Sequence, residues 1–282
     1  MSEAVRLFSL QITLIAVVLV LHTYIGLHII RRTLIFSDLV LDQLAAFGAL
    51  VGVAIGISYA SPASYVLAFA AVLIGAFLLA VLNPKGYAIP REAVIGILYA
   101  MALVMSLLLT DKIENGQALV EKTLSGYLLW VSGPLVAVTA GVYILLIVFH
   151  YCLRDRFITL AESPQGLKNE RLWDFLLFTT QGIVTVLIVP IAGVLLAYAF
   201  LMIPAAIATL FTRKWIPAVI LGWTVGFSAC LVGLVSSYHF SLPYGPTLVL
   251  CMGAAFVAAM VLRYMVFRRG RITKKGLEPC HS

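Results

Sequence analysis

The chain has 282 residues, of which 62% are hydrophobic and 11% charged, whereas a typical soluble domain is about 25% charged. A formal net charge of +7 would suggest a nucleic-acid partner in a soluble protein, but membrane topology explains better why the basic residues lie in short loops and a tail. We therefore expect no nucleic-acid partner, and the four widely spaced cysteines predict neither a disulfide framework nor a zinc knuckle.

Long segments without Asp, Glu, Lys or Arg predict an all-α, polytopic membrane protein with eight to nine transmembrane helices. The first apolar run is too long for a signal-peptide core and is followed by Arg31 and Arg32, so it is predicted to be a retained helix. The run from Leu172 to Phe211 would be about 60 Å long as one helix, twice the thickness of a membrane. A break is expected at Pro190 and Gly193. The predicted spans are 7–30, 38–58, 64–83, 92–110, 127–153, 172–190, 193–211, 216–238 and 246–267.

The basic loop residues predict the orientation of these spans, because cytoplasmic loops carry an excess of Lys and Arg. Nine alternating spans with an outside N-terminus and a cytoplasmic C-terminus put most of the basic loop residues inside. One of the two spans within 172–211 could be a half-helix. The whole chain is interpreted as a single integral membrane domain with a 154–171 inside loop and a 268–282 basic cytoplasmic tail. The inside loops and tail then hold Arg31, Arg32, Lys85, Arg91, Arg154, Arg156, Lys168, Arg171, Arg213, Lys214, Arg268, Arg269, Arg271, Lys274 and Lys275, and the outside holds Arg6, Lys112 and Lys122.

Two acidic residues lie at the start of the second predicted span. Asp38 and Asp42 are four residues apart and project from one face of a helix, and Gln43 beside them is a possible neutral ligand. Paired carboxylates of this kind can hold a divalent cation, and an acid inside a span points to function because it is costly there. The alternative is that Ser37 or Asp38 caps the helix and Asp42 complements its dipole.

A short amphipathic helix is predicted in the inside loop. Phe157, Leu160 and Ala161 follow helical spacing, and Ser163 to Gly166 end the turn. The apolar face must be buried either in the lipid interface or in a groove on a cytoplasmic partner, and the residues alone do not separate the two.

Small residues in the seventh span predict close helix packing. Gly193 opens this segment, Pro204 removes a backbone hydrogen bond, and Ala205 and Ala206 allow a neighbouring helix to approach.

The outside turn before the last span contains His239, Pro243, Gly245 and Pro246, which predict an ordered reversal. His239 is a metal-ligand candidate, but a single loop histidine is more often simply solvated. His22 and His28 on the first span are interpreted as packing residues.

Motifs of several enzyme classes are missing from the sequence. It has no Walker A loop, no H-E-x-x-H zinc-protease motif and no G-x-S-x-G nucleophile elbow. We expect neither an enzyme nor a resident cofactor.

Four segments in order resemble the permease subunits of bacterial ABC importers for manganese, zinc and iron, the ABC-3 family. Arg31-Arg32 before Phe36-Ser37-Asp38 is similar to that family's Arg-Arg and Gly-Asp-x-x-x-His helix. The segment Arg91 to Tyr99 resembles its acidic-Ala-x-x-Gly-Ile motif. Gly193 to Ala208 resembles its Gly-x-Leu-Leu and Ile-Pro-Ala-Ala run, and Leu242 to Leu250 its Pro-x-Gly-Pro turn.

The chain departs from this pattern at one position that matters. Asp42 stands where the family has histidine, and a carboxylate favours harder cations such as manganese or ferrous iron over zinc, or it indicates a chelated substrate. An apparent one-residue insertion before Gly48 leaves Gln43 as the other residue that aligns with the histidine.

The resemblance implies an importer built from two permeases and two ATPases and fed by an extracellular or periplasmic metal-binding protein. A homodimer of this chain in the bacterial plasma (inner) membrane, surrounded by membrane lipid, would line the pathway. The helix with Phe157, Leu160 and Ala161 would couple to the ATPase, and Gly193, Pro204, Ala205 and Ala206 would serve packing or gating. The alternative is a stand-alone secondary transporter of a cation or small solute.

Overall fold

The computed structural model describes residues 3–84, 89–114, 116–126 and 131–275. Lys85, residues 127–130 of the fifth predicted span and residues 276–282 of the predicted tail lie outside the described residues. The described residues form helices and no strand, so the predicted all-α class is confirmed. The helices are α1 (Glu3–Arg31), α2 (Phe36–Ala54), α3 (Pro62–Val81), α4 (Arg91–Thr110), α5 (Gly116–Ser125), α6 (Gly133–Cys152), α7 (Arg154–Glu162), α8 (Glu170–Phe211), α9 (Trp215–Phe240) and α10 (Tyr244–Lys275).

Eight of the described helices are long and apolar enough to cross a membrane: all except the short α5 and α7. Large aliphatic side chains such as Leu108, Leu145 and Leu250 are exposed on the outside of the bundle. This distribution is typical of a membrane protein, because lipid is as apolar as the side chains that face it. α5 lies in a segment for which no helix was predicted.

The helix α8 bends back on itself at Gly193. The backbone of Gly193 has φ 78° and ψ 161°, which is not helical. Arg32 donates to Asp174 near the start of α8, while the adjacent Arg31 donates to the carbonyl of Arg213 just past its end. A straight helix would hold these two points about 60 Å apart, so the two halves of α8 must run in opposite directions. The predicted break is confirmed, and the chain passes through the bundle nine times.

The two halves of α8 form the centre of the bundle. They pack against α1, α2, α3, α9 and α10, and buried residues run along almost the whole of α8, whereas α4, α6 and α10 expose most of their surface. A Cβ on Gly126 would overlap the backbone of Ala192, so α5 packs closely against the reversal. The site described next lies between the first half of α8 and α2.

Small residues bring the second half of α8 close to α1 and α9. A Cβ on Gly26 of α1 would overlap the backbone carbonyl of Leu201. On α9, Gly222 lies against the carbonyl of Pro204 and Gly226 against its ring. Ala205 is fully buried in the same contact, and Ala206 is half-buried.

Candidate functional site

The two carboxylates of α2 face the first half of α8. Asp38 and Asp42 are each 1% exposed. The side-chain amide of Gln181 donates to Oδ1 of Asp38 over 2.8 Å, and the hydroxyl of Thr185 donates to Oδ1 of Asp42 over 3.0 Å. Gln181 and Thr185 are themselves four residues apart, so two matching i, i+4 pairs meet across the helix contact.

Three buried oxygen atoms at this contact have no hydrogen-bond partner among the described residues. They are Oδ2 of Asp38, Oδ2 of Asp42 and Oε1 of Gln181. Each can only accept a hydrogen bond or bind a cation when the carboxylates are ionised. Buried acceptors without a donor are rare in folded proteins and need an explanation. A cation with hard oxygen ligands would satisfy all three.

Neither aspartate makes a side-chain cap hydrogen bond to α2, although Asp38 lies in its first turn. The cap position is Ile35, and no side chain of α2 caps its first turn. The amide of Phe36 instead donates to the carboxylate of Glu92 on α4 over 2.8 Å. An acid from another helix thus takes the place that Asp38 would fill as a cap.

Gln43 lies away from the two carboxylates. Its amide donates to the hydroxyl of Ser106 on α4 over 3.1 Å, whereas Asp38 and Asp42 face α8. The structure thus brings Asp38 and Asp42 together with two residues of α8 but does not bring Gln43 to them. A wholly buried Tyr143 of α6 lies within electrostatic range of both carboxylates.

The site contains no histidine or cysteine. Across the described part of the chain, no group of three or more His, Cys, Asp or Glu side chains is placed to hold a metal ion. Nδ1 of His22 donates to the carbonyl oxygen of Val18 over 3.0 Å and lies 3.4 Å from the hydroxyl of Tyr143, and His28 lies among aromatic rings. The donor set at α2 and α8 is therefore made of oxygen atoms, which suits Mg²⁺, Ca²⁺ or Mn²⁺ better than Zn²⁺.

A second buried carboxylate lies closer to one end of the bundle than this pair, and its charge is compensated. Asp174 of α8 is not exposed, and its two oxygens accept from Arg32 over 2.5 Å and from Arg91 over 2.7 Å. Burial lowers the pKa of Arg32, and the charge of Asp174 opposes that shift. Asp174, Gln181 and Thr185 are seven and four residues apart, so they lie on one stripe of α8.

The amphipathic helix α7 is present at this end, but its apolar face is buried in the chain itself. Phe157 and Leu160 are not exposed and Ala161 is 8% exposed. The ring of Phe157 lies 4.3 Å from that of His150 and 5.6 Å from that of Trp173, centroid to centroid. This differs from the expectation that these three side chains enter a partner or the lipid, because the end of α6 and the start of α8 already cover them.

The two ends of α7 differ, because the polar contacts to α1 and α9 are made at the end with Glu162. The carboxylate of Glu162 accepts from Arg31 over 2.9 Å and from the indole of Trp215 over 2.8 Å. The guanidinium of Arg31 also lies 3.8 Å above the ring of Trp215. Arg154 and Arg156 at the other end are exposed.

The outer turn forms an ordered reversal. Ser241 has φ 53°, the hydroxyl of Ser237 donates to the carbonyl of Leu242, and that of Thr247 donates to the carbonyl of Pro243. α10 begins with Tyr244, Gly245 and Pro246. His239 is exposed and contacts the ring of Phe240.

The partners of Asp38 and Asp42 on α8 were not found from the sequence, although a signal was present. Gln181 and Thr185 are polar residues in an apolar run, with the same spacing as the two acids. Their contact depends on which helices are neighbours, and spacing along one helix does not reveal that.

The model of the ABC 3 transport family matches residues 5–263. The chain belongs to this family. The resemblance found in its motifs is thereby confirmed over nearly the whole sequence, including both helices of the candidate site.

Relatives of the chain carry names that refer to metal transport. A probable metal transport system membrane protein of Chlamydia pneumoniae is 24% identical over 221 residues, which are 76% of this chain and 75% of that protein. A manganese transport system membrane protein, MntC, of Listeria innocua is 28% identical over 178 residues, 61% of this chain and 63% of that protein. The chain matches about three fifths of the length of several of these relatives.

A solved structure shares the fold. A chain of PsaBC from Streptococcus pneumoniae, solved in complex with Fab, superposes with a TM-score of 0.72 at 21% identity, covering 89% of each chain. The fold of this chain therefore also occurs in that protein.

Replacing Asp174 tests whether it fixes the end of the bundle. Asp174→Asn leaves two buried guanidinium groups without a carboxylate, so we expect a loss of about 3–5 kcal/mol in the free energy of unfolding. The measurement is thermal or denaturant unfolding of the purified protein in detergent. The matched control is Asp155→Asn, whose exposed carboxylate faces Arg154 at 3.5 Å and whose loss should leave stability unchanged. Equal stability of the two variants would contradict this role for Asp174.

Proposed function

We propose that the chain is the membrane-spanning permease subunit of an ABC importer for a divalent transition metal, with manganese favoured. The observation that carries the proposal is the set of unpaired, buried oxygens on Asp38, Asp42 and Gln181 inside a membrane bundle. Family membership and the printed names of the relatives support it. No Walker A loop occurs in the sequence, so ATP hydrolysis would take place on a separate subunit.

The proposed role of the two carboxylates is to hold the cation for a short time on its way across. Their two negative charges balance a divalent cation, and the oxygens of Gln181 and Thr185 replace part of its hydration shell. Asp38 and Asp42 come from α2, and the other two groups come from α8, so a relative movement of these helices would separate the ligands. Such a movement would release the cation.

Uptake measurements test the carboxylates directly. Asp42→Asn keeps the shape of the side chain but removes a charge, so we expect uptake to fall about 10- to 100-fold without loss of membrane insertion. Asp42→His should move selectivity towards zinc, because imidazole is the softer ligand. Uptake of manganese, iron and zinc is measured in cells that lack other importers for these metals.

The control for these variants is Asp111→Asn, which removes a carboxylate that is 78% exposed at the far end of α4. It should transport at the parental rate. If Asp38→Asn and Asp42→Asn also transport every metal at that rate, the two acids are structural and the cation passes elsewhere.

The orientation that we propose places the end with Arg31, Arg91, Arg154 and Arg213 in the cytoplasm, with the N-terminus outside and the C-terminus inside. The excess of basic residues at that end supports it. In intact cells, a membrane-impermeant thiol reagent should label Lys112→Cys and not Lys168→Cys, since these exposed residues lie at opposite ends of the bundle. Labelling in the reverse pattern would contradict the orientation. Both variants should react equally after the cells are opened.

For α7, we propose a role as the element that couples to the ATPase, with the exposed charged residues Asp155 and Arg156 in the contact surface. Phe157, Leu160 and Ala161 then connect this contact to the bundle rather than entering the partner, because they are buried against α6 and α8. A second copy of the chain and an extracellular binding protein, as the family resemblance implies, complete the importer.

Two substitutions on α7 distinguish a residue that contacts the ATPase from one that anchors α7 to the bundle. Arg156→Glu reverses an exposed charge, so we expect it to weaken co-purification with the ATPase and metal-stimulated hydrolysis while stability is unchanged. Phe157→Ala removes a buried ring and should lower the free energy of unfolding by about 3–5 kcal/mol. Normal assembly and coupling in Arg156→Glu would show that this surface does not meet the ATPase. If the parent chain and both variants all fail to bind an ATPase, a secondary transporter is favoured.

A further inference from the structure

A cavity of about 460 Å³ opens between α1, α6 and α9, next to α7. Leu21, Ile147 and Val219 form its apolar walls, Tyr24 and His150 also line it, and Arg154 lies at its α7 end. We propose that this cavity binds one acyl chain of an anionic phospholipid whose headgroup lies at Arg154. This inference does not depend on the proposed cation site, because none of these residues contributes to that site.

The position of the cavity favours hydrocarbon as its content. α6 and α9 both pack near α1 but leave a cleft between them. Leu145 on α6 and Ile216 and Ile220 on α9 are more than half exposed, so the surface around the opening is aliphatic. Water does not stably fill an apolar cavity, whereas an acyl chain of the surrounding bilayer can enter an opening that faces it.

The polar atoms of the aromatic lining residues are buried in the protein and do not face the cavity. Oη of Tyr24 and Nδ1 of His150 have no partner in the described part of the chain, and Nε2 of His150 is 2.9 Å from the hydroxyl of Thr180. The surface that the cavity offers to a ligand is therefore almost wholly apolar, which suits an acyl chain.

The charge at the cavity's end favours an anionic headgroup. The guanidinium of Arg154 is 55% exposed, stacks near the ring of Tyr151 and meets Asp155 only at 3.5 Å. It keeps donors available for a phosphate, and a basic residue at a membrane surface attracts anionic lipid. We favour lipid over a second copy of this chain as the occupant, because one lipid molecule supplies both an acyl chain for the apolar walls and a phosphate for Arg154.

Tryptophan quenching tests the proposal on the full-length chain reconstituted in bilayers. Trp215 lines the cavity, and its fluorescence is isolated as the difference between the parent and Trp215→Phe. The probes are dibrominated phosphatidylglycerol and dibrominated phosphatidylcholine, compared at equal mole fractions of brominated chains. We expect half-maximal quenching of Trp215 at about fivefold lower mole fraction for phosphatidylglycerol.

Two pairs of variants show whether this preference arises in the cavity. Arg154→Gln should abolish the fivefold preference, whereas Arg156→Gln, which removes a neighbouring exposed arginine, should keep it. Val219→Trp fills the cavity and should remove the preference for phosphatidylglycerol, which is measured for this variant by displacement of spin-labelled phosphatidylglycerol. Val232→Trp, at an exposed position of the same helix, should keep the preference. Equal quenching by both lipids in the parent overturns the proposal. Protection of Trp215 from both lipids also overturns it, because protein would then cover the cleft.

Discussion

The carboxylate of Asp174 joins three helices at one end of the bundle, and the positions of the functional groups depend on it. It accepts from Arg32 at the end of α1 and from Arg91 at the start of α4. Breaking a buried ion pair costs more free energy than the intact pair contributes, because the remaining charge is left without a partner. The pair therefore acts mainly to exclude other arrangements of α1, α4 and α8, and less as a source of stability.

Asp174 lies on the same stripe of α8 as the two polar residues that face α2. Gln181 and Thr185 follow Asp174 on the same stripe of α8 and face Asp38 and Asp42. A shift of α8 by one helical turn would separate both polar contacts at once, and in a bilayer no water replaces lost hydrogen bonds. The neighbouring Glu92 supports the same arrangement, because its carboxylate accepts from the first turn of α2.

The helices were largely predictable from the sequence, whereas the contacts between them were not. Charge-free segments and the break at Gly193 follow from hydrophobic thickness and backbone geometry, which are local properties. The burial of Phe157 within the chain could not be predicted, because an amphipathic face has the same pattern whether it meets lipid, a partner or its own bundle. Likewise, the two acids of α2 were predicted as candidate site residues from the sequence. Gln181 and Thr185 on α8 could be assigned to the same site only from the fold, which places them opposite these acids.

The two buried acidic groups differ in how far the fold compensates their charge. Both oxygens of Asp174 have cationic donors, so its requirements are met by the fold alone. Asp38 and Asp42 each have one oxygen with a neutral donor and one without a partner. An ionised carboxylate in a low-dielectric interior is costly unless a counter-charge is present. No Lys or Arg of the described residues pairs with these two acids. Either a proton or a bound cation must therefore neutralise them, and the function that we propose requires the cation.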